Sequence, residues 1–288
     1  MHAFVASIPS PPSSSLHIGP LRVTAYGLMI GLSVAAAVWL AGRRAEERQA
    51  ASKDDIAAVG MWAVAGGLVG ARLYHVVTDW DRFASDLWAI PALWRGGLGI
   101  PGGLAGGVAI GLVAAHRRGI DIRVMLDIAA PAVALAQAIG RWGNWWNQEL
   151  FGRPTSLPWA LQIDDAHLPA GYASGTTFHP TFLYESMWSL ALCGVLLMTD
   201  RRAWLRPGRL FAFYLGGYFL GRLWVEGLRI DPAPEIAGLR WNQWMSMIVL
   251  VGVTAFFIVD RTRVNPRGAE RAREHDDPVV EVEPSEVS

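Results

Sequence analysis

Apolar residues run along this chain in seven long blocks, each close to the length that a helix needs to cross a bilayer. Such a helix requires about 20 mainly apolar residues to cover roughly 30 Å of hydrocarbon. The blocks lie at 24-42, 56-78, 98-115, 124-142, 180-199, 209-227 and 241-259. The pattern predicts an all-α membrane protein with seven transmembrane helices.

Composition supports this class and removes others. Of the 288 residues, 52% are hydrophobic and 17% are charged, whereas a typical soluble domain has about 25% charged residues. The 25 Lys and Arg are balanced by 25 Asp and Glu, so no basic excess points to a nucleic-acid partner. No CxxC motif or Cys/His cluster indicates zinc, and the single cysteine, Cys193, has no partner for an internal disulfide.

The loop charges predict the orientation of the helices. Every second connection between the predicted spans lies on the same side of the membrane. On one side these are loops 43-55, 116-123 and 200-209 and the tail from 260, which together hold 16 of the 25 Lys and Arg. Basic loops remain in the cytoplasm, so the N-terminus is expected outside and the C-terminus inside. The N-terminal residues lack the basic and apolar regions of a cleaved signal peptide, so the first helix is expected to stay in the membrane.

Three regions follow from this topology. Residues 1-20 form an extracytoplasmic N-terminal segment, residues 21-260 the transmembrane domain, and residues 261-288 a charged cytoplasmic tail without apolar periodicity, expected to be disordered. Two outer segments, 79-97 and 143-178, are long enough to form a small extracytoplasmic cap on the transmembrane domain.

Polar residues inside the spans indicate where a site lies, because ionisable groups in hydrocarbon are costly and usually face a cavity or the bundle interior. The predicted topology brings most of them to the outer side of the membrane. This set comprises Tyr26, Arg72, Gly102, Gly103, Arg141, Asn144, Glu149, Arg222, Glu226 and Arg229.

Several arginines at headgroup depth suggest a site for a lipid phosphate, since the planar guanidinium binds phosphate oxygens with two hydrogen bonds. Alternatively, each arginine near a helix end extends to the headgroups and binds nothing specific. Arg222, Glu226 and Arg229 lie at i, i+4 and i+7 of one helix face, so Glu226 is expected to hold both arginines. A purely structural ladder of ion pairs would explain the same spacing.

The segment Gly140-Arg141-Trp142-Gly143-Asn144-Trp145-Trp146-Asn147-Gln148-Glu149-Leu150-Phe151-Gly152-Arg153 closely resembles the signature G-R-x-G-N-x-x-N-x-E-x-x-G of bacterial prolipoprotein diacylglyceryl transferases. The resemblance extends in order over about residues 17-260. It includes Tyr26-Gly27, Gly70-Ala71-Arg72, Gly96-Gly97, Gly102-Gly103-Leu104, Asp127, Pro131, His179-Pro180, Tyr184-Glu185, Tyr218, Arg222, Glu226, Arg229, Gln243 and Ser246.

The resemblance implies an enzyme of the bacterial plasma membrane that acts at its outer face. It would transfer the diacylglyceryl group of phosphatidylglycerol to the lipobox cysteine thiol of a prolipoprotein, forming a thioether and releasing glycerol 1-phosphate. Arg141 and Arg222 are expected to stabilise charge on the leaving phosphate. Residues at matching positions are expected to bind the substrate or to orient the arginines: Tyr26, Gly102, Gly103, Asn144, Glu149, Tyr218, Glu226 and Arg229. The implied reaction requires no metal or organic cofactor.

One position departs from the family pattern. Many members have a histidine before the Gly-Gly-Leu run of the third helix, often considered as the base for the thiol, whereas this chain has Pro101. Proline cannot accept a proton. Glu149, Glu226, His75 and His179 remain candidates for the base, and none is assigned.

Two other function classes fit the sequence less well. A transporter usually has repeated halves and broken helices that meet at the middle of the membrane, whereas here the polar set lies on one side. An intramembrane hydrolase would need a nucleophile and a base, but the chain has no G-x-S-x-G or H-E-x-x-H motif. Cys193 is expected towards the inner side as a small packed apolar residue.

The topology can be tested with reporter fusions. Fusions after Arg48, Arg118, Arg202 and Arg263 should report a cytoplasmic location, and one near Ser174 an extracytoplasmic location, because basic loops remain inside. A cytoplasmic signal at Ser174 would place the expected site at the wrong leaflet and would contradict the functional interpretation as well.

Overall fold

The long helices of the structure coincide with the seven apolar blocks. The computed structural model describes residues 7–18, 21–92, 96–200 and 206–262. Its long helices are α1 (Ala25–Glu47), α2 (Lys53–Thr78), α4 (Ile100–Arg117), α5 (Ile122–Gly140), α7 (Thr181–Asp200), α8 (Arg209–Glu226) and α9 (Trp241–Thr262). The short helices α3 (Trp80–Phe83) and α6 (Trp142–Trp146) follow α2 and α5.

Five of the described helical stretches are long and apolar enough to cross a membrane. They are α1, α2, α7, α9 and the continuous stretch Ile122–Trp146. Helices α4 and α8, with 18 residues each, are not among them, so the count of seven spans and the orientation remain predictions. The expected disordered tail, residues 261-288, lies outside the described residues from 263 onwards.

The sequence places a good capping residue at several helix starts. Thr24 accepts a hydrogen bond from the Gly27 amide at the start of α1 (3.1 Å), and Ser52 forms a capping box with Asp55 at the start of α2. Pro101 lies in the first turn of α4, where its missing N–H is not needed. These local choices define where the long helices begin.

Glycine allows α2 and α4 to pack with their backbones in contact. A Cβ atom at Gly70 would collide with the Gly102 carbonyl oxygen, and one at Gly106 with the Gly66 carbonyl oxygen. At Gly103 a Cβ would lie 3.3 Å from Cβ of Ala71. The glycine-rich third block therefore forms a close helix pair, as expected for small residues in membrane helices.

Helix α5 contains Pro131, and an arginine from α1 compensates for it. Proline lacks the N–H that would bond to the carbonyl four residues earlier, which belongs to Asp127. Nη1 of Arg44 donates instead to the carbonyl oxygens of Asp127 (2.6 Å) and Ile128 (2.5 Å), and its Nη2 donates to Asp200 at the end of α7 (2.7 Å). This buried contact joins α1, α5 and α7 at the end of the bundle that carries the basic loops.

The side chain of Asp127, a residue of α5, caps the N-terminus of α8. Its two oxygens accept from the backbone amides of Gly208 (2.8 Å) and Phe211 (2.9 Å), which lie at the first turn of α8. Gly208 itself has a positive φ of 94°, a conformation that favours glycine. The start of α8 is therefore attached to the second turn of α5.

Within the described residues, short antiparallel strands form three pairs that the pattern did not predict. They are β1 (Ser15–Ile18) with β2 (Leu21–Thr24), β3 (Leu161–Gln162) with β4 (Thr177–Phe178), and β5 (Glu235–Ile236) with β6 (Leu239–Arg240). In the middle pair, Leu161 lies opposite Phe178. Around it a small apolar cluster buries Phe151, Leu161, Ile163, Phe178 and Phe182. Most of the segment between α6 and α7 thus folds as a compact layer next to the start of α7.

Candidate active site

Three helices meet at a pair of arginines that share one carboxylate. Nη1 of Arg141, after α5, lies 3.1 Å from Oε2 of Glu185 in α7, and Nη1 of Arg222 in α8 lies 3.0 Å from Oε1 of the same residue. Arg222 also places Nη2 2.7 Å from Oε2 of Glu226. The structure therefore brings together the two arginines on which the sequence-based hypothesis depends.

The line of alternating charges continues beyond Glu226. Nε of Arg240, at the end of β6, lies 3.0 Å from Oε1 of Glu226, and its Nη2 lies 2.9 Å from Oδ2 of Asp231. Asp231 in turn accepts from Nε of Arg229 at 2.7 Å. Seven side chains thus form one ion-pair chain: Arg141, Glu185, Arg222, Glu226, Arg240, Asp231 and Arg229.

The expectation that Glu226 pairs with both Arg222 and Arg229 is correct for Arg222 and wrong for Arg229. Glu226 does contact Arg222, but its second arginine is Arg240, and Arg229 pairs with Asp231. The reason is that α8 ends at Glu226. Arg229 therefore lies in the following turn and no longer on the helix face that the i, i+7 spacing assumes.

The four members of this chain from Arg141 to Glu226 differ in burial. The exposed fraction of the side chain is 19% for Arg141, 15% for Arg222, 9% for Glu185 and 0% for Glu226. Arg141 is in ion-pair contact with Glu185 through Nη1. Arg141 is therefore the member of this part of the chain that an incoming anion can reach most easily.

The signature segment holds Glu149 with amide donors. Nδ2 of Asn144 donates to Oε1 of Glu149 at 2.8 Å, and Nδ2 of Asn147 reaches the same oxygen at 3.3 Å. The tight turn places Gln148 and Leu150 at positive φ values of 50° and 60°. The signature spacing thus turns the chain sharply enough for its own asparagines to reach the carboxylate.

Tyr26 in α1 lies against this turn. Its ring packs on Gly143, where a Cβ atom would come within 2.7 Å of Tyr26 Cδ2. Both Glu149 and Arg141 interact electrostatically with Tyr26. Tyr26, Asn144, Glu149 and Arg141 therefore belong to one neighbourhood, as the sequence predicted.

Tyr218 lines a small cavity next to the paired arginines. The lining also includes Arg141, Glu185, Trp188, Gly221 and Arg222, and the space is about 10 Å³, roughly what one water molecule requires. A phosphate does not fit in this space while both arginines bind Glu185.

Gly102, Gly103 and Arg72 have structural contacts elsewhere. Gly102 and Gly103 pack against α2, and their predicted part in substrate binding stays a prediction. The Arg72 guanidinium donates to the carbonyl oxygens of Ala89 (2.6 Å), Ile90 (2.8 Å), Gly96 (2.5 Å) and Gly97 (3.0 Å). Arg72 therefore holds the segment after α2 in place, which is neither of the two roles that the sequence suggested for it.

The two histidines considered as bases are both engaged. His75 Nδ1 lies 2.9 Å from Asp79, and its ring packs where a Cβ of Gly97 would stand. His179 Nδ1 lies 3.1 Å from the Tyr184 hydroxyl. Burial, and to a smaller extent the positive charge of Arg153, lower the pKa of His179 below its ordinary value. In the described part of the chain, no three His, Cys, Asp or Glu residues are grouped to hold a metal ion.

Sequence reasoning missed three members of the ion-pair chain. Glu185 was named only as part of the family pattern, although a carboxylate within an apolar block is itself a signal of a buried partner. Asp231 and Arg240 gave no such signal, because they lie between two apolar blocks, in a connecting segment where charged residues are common. Only the folded chain shows that both face Glu226 or its neighbours.

These features define a multi-pass helical membrane protein with a polar site at one end of its bundle. Residues 13–259 match the family model described as prolipoprotein diacylglyceryl transferase. The chain belongs to this family and is a transferase, which confirms the resemblance seen in the sequence.

Relatives support the same family. The chain is 48% identical over 267 residues to the phosphatidylglycerol–prolipoprotein diacylglyceryl transferase of Frankia alni, covering 91% of this chain and 69% of that protein. It is 47% identical over 262 residues to transferase 2 of Streptomyces coelicolor, with 90% and 82% covered. For the Cutibacterium acnes enzyme the identity is 45% over 261 residues, with 89% and 88% covered.

Removal of the Glu226 carboxylate should destabilise the protein. In Glu226→Ala, Arg222 and Arg240 lose their shared buried anion, a loss that typically costs about 3–5 kcal/mol. We expect a decrease of that size in the free energy of unfolding, measured in mixed detergent micelles. The matched control is Glu47→Ala, which removes the exposed pair with Arg43 (side chains 60% and 61% exposed) and should change it by less than about 1 kcal/mol. Equal effects of the two substitutions would contradict a buried bridging role for Glu226.

Proposed function

We propose that this protein transfers the diacylglyceryl group from phosphatidylglycerol to the lipobox cysteine thiol of a prolipoprotein. The products would be a thioether on the cysteine and glycerol 1-phosphate, and this is the first step of bacterial lipoprotein maturation. The observation that carries the proposal is the convergence of Arg141 and Arg222 on Glu185 beside the signature turn. The relatives named above bear the name of this activity.

The proposed location is the bacterial plasma membrane, with the polar end of the bundle at the outer leaflet. All seven long helices would span, including α4 and α8, since 18 helical residues extend about 27 Å, close to the hydrocarbon thickness. The loops rich in Lys and Arg lie at the opposite ends of the helices from Arg141 and Arg222, which supports an outer site, an external N-terminus and a cytoplasmic C-terminus. The bilayer itself would supply the lipid substrate.

The reaction requires one bond to form and one to break at the same carbon. The thiolate sulfur attacks the glyceryl carbon bonded to the phosphate oxygen, the carbon–oxygen bond breaks, and its electron pair leaves with the phosphate. The thiol proton passes to a base, which stays unassigned among Glu149, Glu226, His75 and His179. Arg141 and Arg222 would bind the phosphate oxygens and stabilise the charge that the leaving group gains.

The other predicted residues would support these arginines. Glu185 holds the guanidinium groups of Arg141 and Arg222 near each other, although two like charges would otherwise repel, and Glu226 holds Arg222 from the other side. The proposed substrate-binding set comprises Arg141, Tyr26, Gly102, Gly103, Asn144, Glu149, Tyr218, Glu226 and Arg229. Tyr218 lines the cavity next to Arg141, and the glycines would act by letting α2 and α4 approach.

The function is tested with purified protein in liposomes and a lipobox peptide. Liposomes containing phosphatidylglycerol should give a peptide that carries a diacylglyceryl group, detected by mass spectrometry, together with glycerol 1-phosphate. Liposomes of phosphatidylethanolamine alone should give neither product. Movement of lipid or peptide across the bilayer without a covalent product would favour a transporter and would overturn the proposal.

The role of Arg141 can be separated from its charge. Arg141→Lys keeps the charge but loses the two-pronged contact with phosphate, and a hydrogen bond to a charged group contributes about 1.5–3 kcal/mol. We expect kcat/KM for the peptide to decrease about tenfold to a hundredfold, and further for Arg141→Ala. Arg118→Lys and Arg118→Ala, at the opposite end of the bundle, should leave it unchanged. Near wild-type rates for Arg141→Lys would refute the two-pronged phosphate contact.

Pro101 tests whether the family histidine is an indispensable base. Because proline lies in the first turn of α4 and cannot take a proton, we expect the unmodified protein to be active and Pro101→His to change its rate only modestly. Turnover that is absent in the unmodified protein and clear in Pro101→His would show that a histidine at this position is the required base.

A further inference from the structure

Arg240 contacts both ends of the turn that follows α8, although it comes from the next hairpin. Its Nε lies 3.0 Å from Glu226, its Nη1 donates to the Arg229 carbonyl oxygen at 2.8 Å, and its Nη2 donates to the Asp231 carbonyl oxygen at 2.7 Å. The Nη2 atom also reaches the Asp231 carboxylate at 2.9 Å. Both Nη atoms donate hydrogen bonds, and Nε faces Glu226 at ion-pair distance without hydrogen-bond geometry, in a side chain that is 9% exposed.

Glu226 divides its two oxygens between different partners. Oε2 lies 2.7 Å from Arg222, while Oε1 lies 3.0 Å from Arg240 and accepts from Nδ2 of Asn242 at 3.2 Å. The carboxylate is fully buried. Because Arg240 and Asn242 occupy Oε1, only Oε2 of Glu226 is available to Arg222.

We propose that Arg240 is a positioning residue for the transfer reaction, which acts by holding Glu226 so that Arg222 keeps donors for the substrate phosphate. The proposal rests on the function proposed above. Carboxylates and guanidinium groups favour two parallel hydrogen bonds when nothing else occupies them. Without Arg240, Oε1 would keep only the neutral donor Asn242, and Glu226 could turn both oxygens towards Arg222.

Such a turn would compete with the contacts that Arg222 makes towards the site. Nη1 of Arg222 now lies 3.0 Å from Glu185, the residue that also binds Arg141. A bidentate pair with Glu226 would draw the guanidinium away from Glu185 and from Arg141. Arg240 therefore affects the phosphate site through one intermediate residue, without contacting the substrate itself.

The turn that Arg240 holds is also attached to the signature segment. The amide of Arg153 donates to the Leu228 carbonyl oxygen at 2.8 Å, and Gly152 forms a bridge with Arg229. The turn after α8 is thus bound by Arg240 on one side and by the signature segment on the other. This arrangement fixes the end of α8 relative to Arg141 as well as fixing Glu226.

A double-substitution cycle tests the proposal. Transfer to a lipobox peptide is measured in phosphatidylglycerol liposomes, per mole of folded protein, for the wild type, Arg240→Met, Glu226→Gln and the double variant. We expect Arg240→Met to lower kcat about tenfold with the KM for the peptide unchanged, because the leaving-group contact is affected and not peptide binding. The double variant should stay within about threefold of Glu226→Gln, because Arg240 acts through Glu226.

Two further variants keep the test decisive. Arg240→Lys retains the charge but its single ammonium cannot make all of the contacts, so we expect a smaller loss of kcat that disappears in the Glu226→Gln background. If Arg240→Met does not fold, the Lys variant carries the cycle. Arg48→Met removes an ion pair with Asp200 at the opposite end of the bundle and should retain the wild-type rate.

The outcomes separate the two proposals. Losses that multiply in the double variant, or a wild-type kcat for both Arg240 variants, would overturn the positioning role while leaving the transferase function intact. Absence of phosphatidylglycerol-dependent transfer in the wild type and in Arg48→Met would overturn the proposed function, and the role of Arg240 with it.

Discussion

Glu185 binds one arginine with each of its carboxylate oxygens, and the polar end of the bundle depends on this bridge. Arg141 and Arg222 come from different helices and carry like charges, which repel strongly where water is largely excluded. A shared carboxylate between them removes that repulsion and joins the ends of α5 and α8 to the start of α7. An anion that replaces Glu185 as the partner of these arginines meets two guanidinium groups already close together.

A second buried arginine organises the opposite end. Arg44 donates to the carbonyl oxygens next to the break that Pro131 makes in α5, and Asp127, whose carbonyl oxygen is one of these acceptors, caps the first turn of α8 with its side chain. Helices α5 and α8 are thus attached to each other near the start of α8, and their far ends carry Arg141 and Arg222. The two ends of the bundle use the same principle, in which buried charges are compensated by groups from other helices.

The helices and the neighbourhood of the site were predictable to different degrees. The long apolar blocks match the helices because the requirement for apolar residues is repeated along each segment. Arg141, Arg222, Tyr26, Asn144 and Glu149 were expected together, and the structure brings them together. The pairing of Glu226 with Arg229 was wrong, because a spacing rule for helices applies only within the helix and α8 ends at Glu226. The short strands were not expected, since stretches of two to four residues are too short to show a clear alternating pattern.

By itself, the sequence determined the class of protein, the positions of the long helices and the family, because each of these depends on residues close together in the chain or on an ordered motif. The tertiary structure decided which carboxylate binds which arginine. Glu185 lies 37 residues from Arg222, and Arg240 reaches Glu226 across a hairpin, so these pairs depend on where the ends of separate helices meet. Charge pairing at such distances follows from packing and from the cost of leaving a buried charge without a partner, and neither can be read from local pattern.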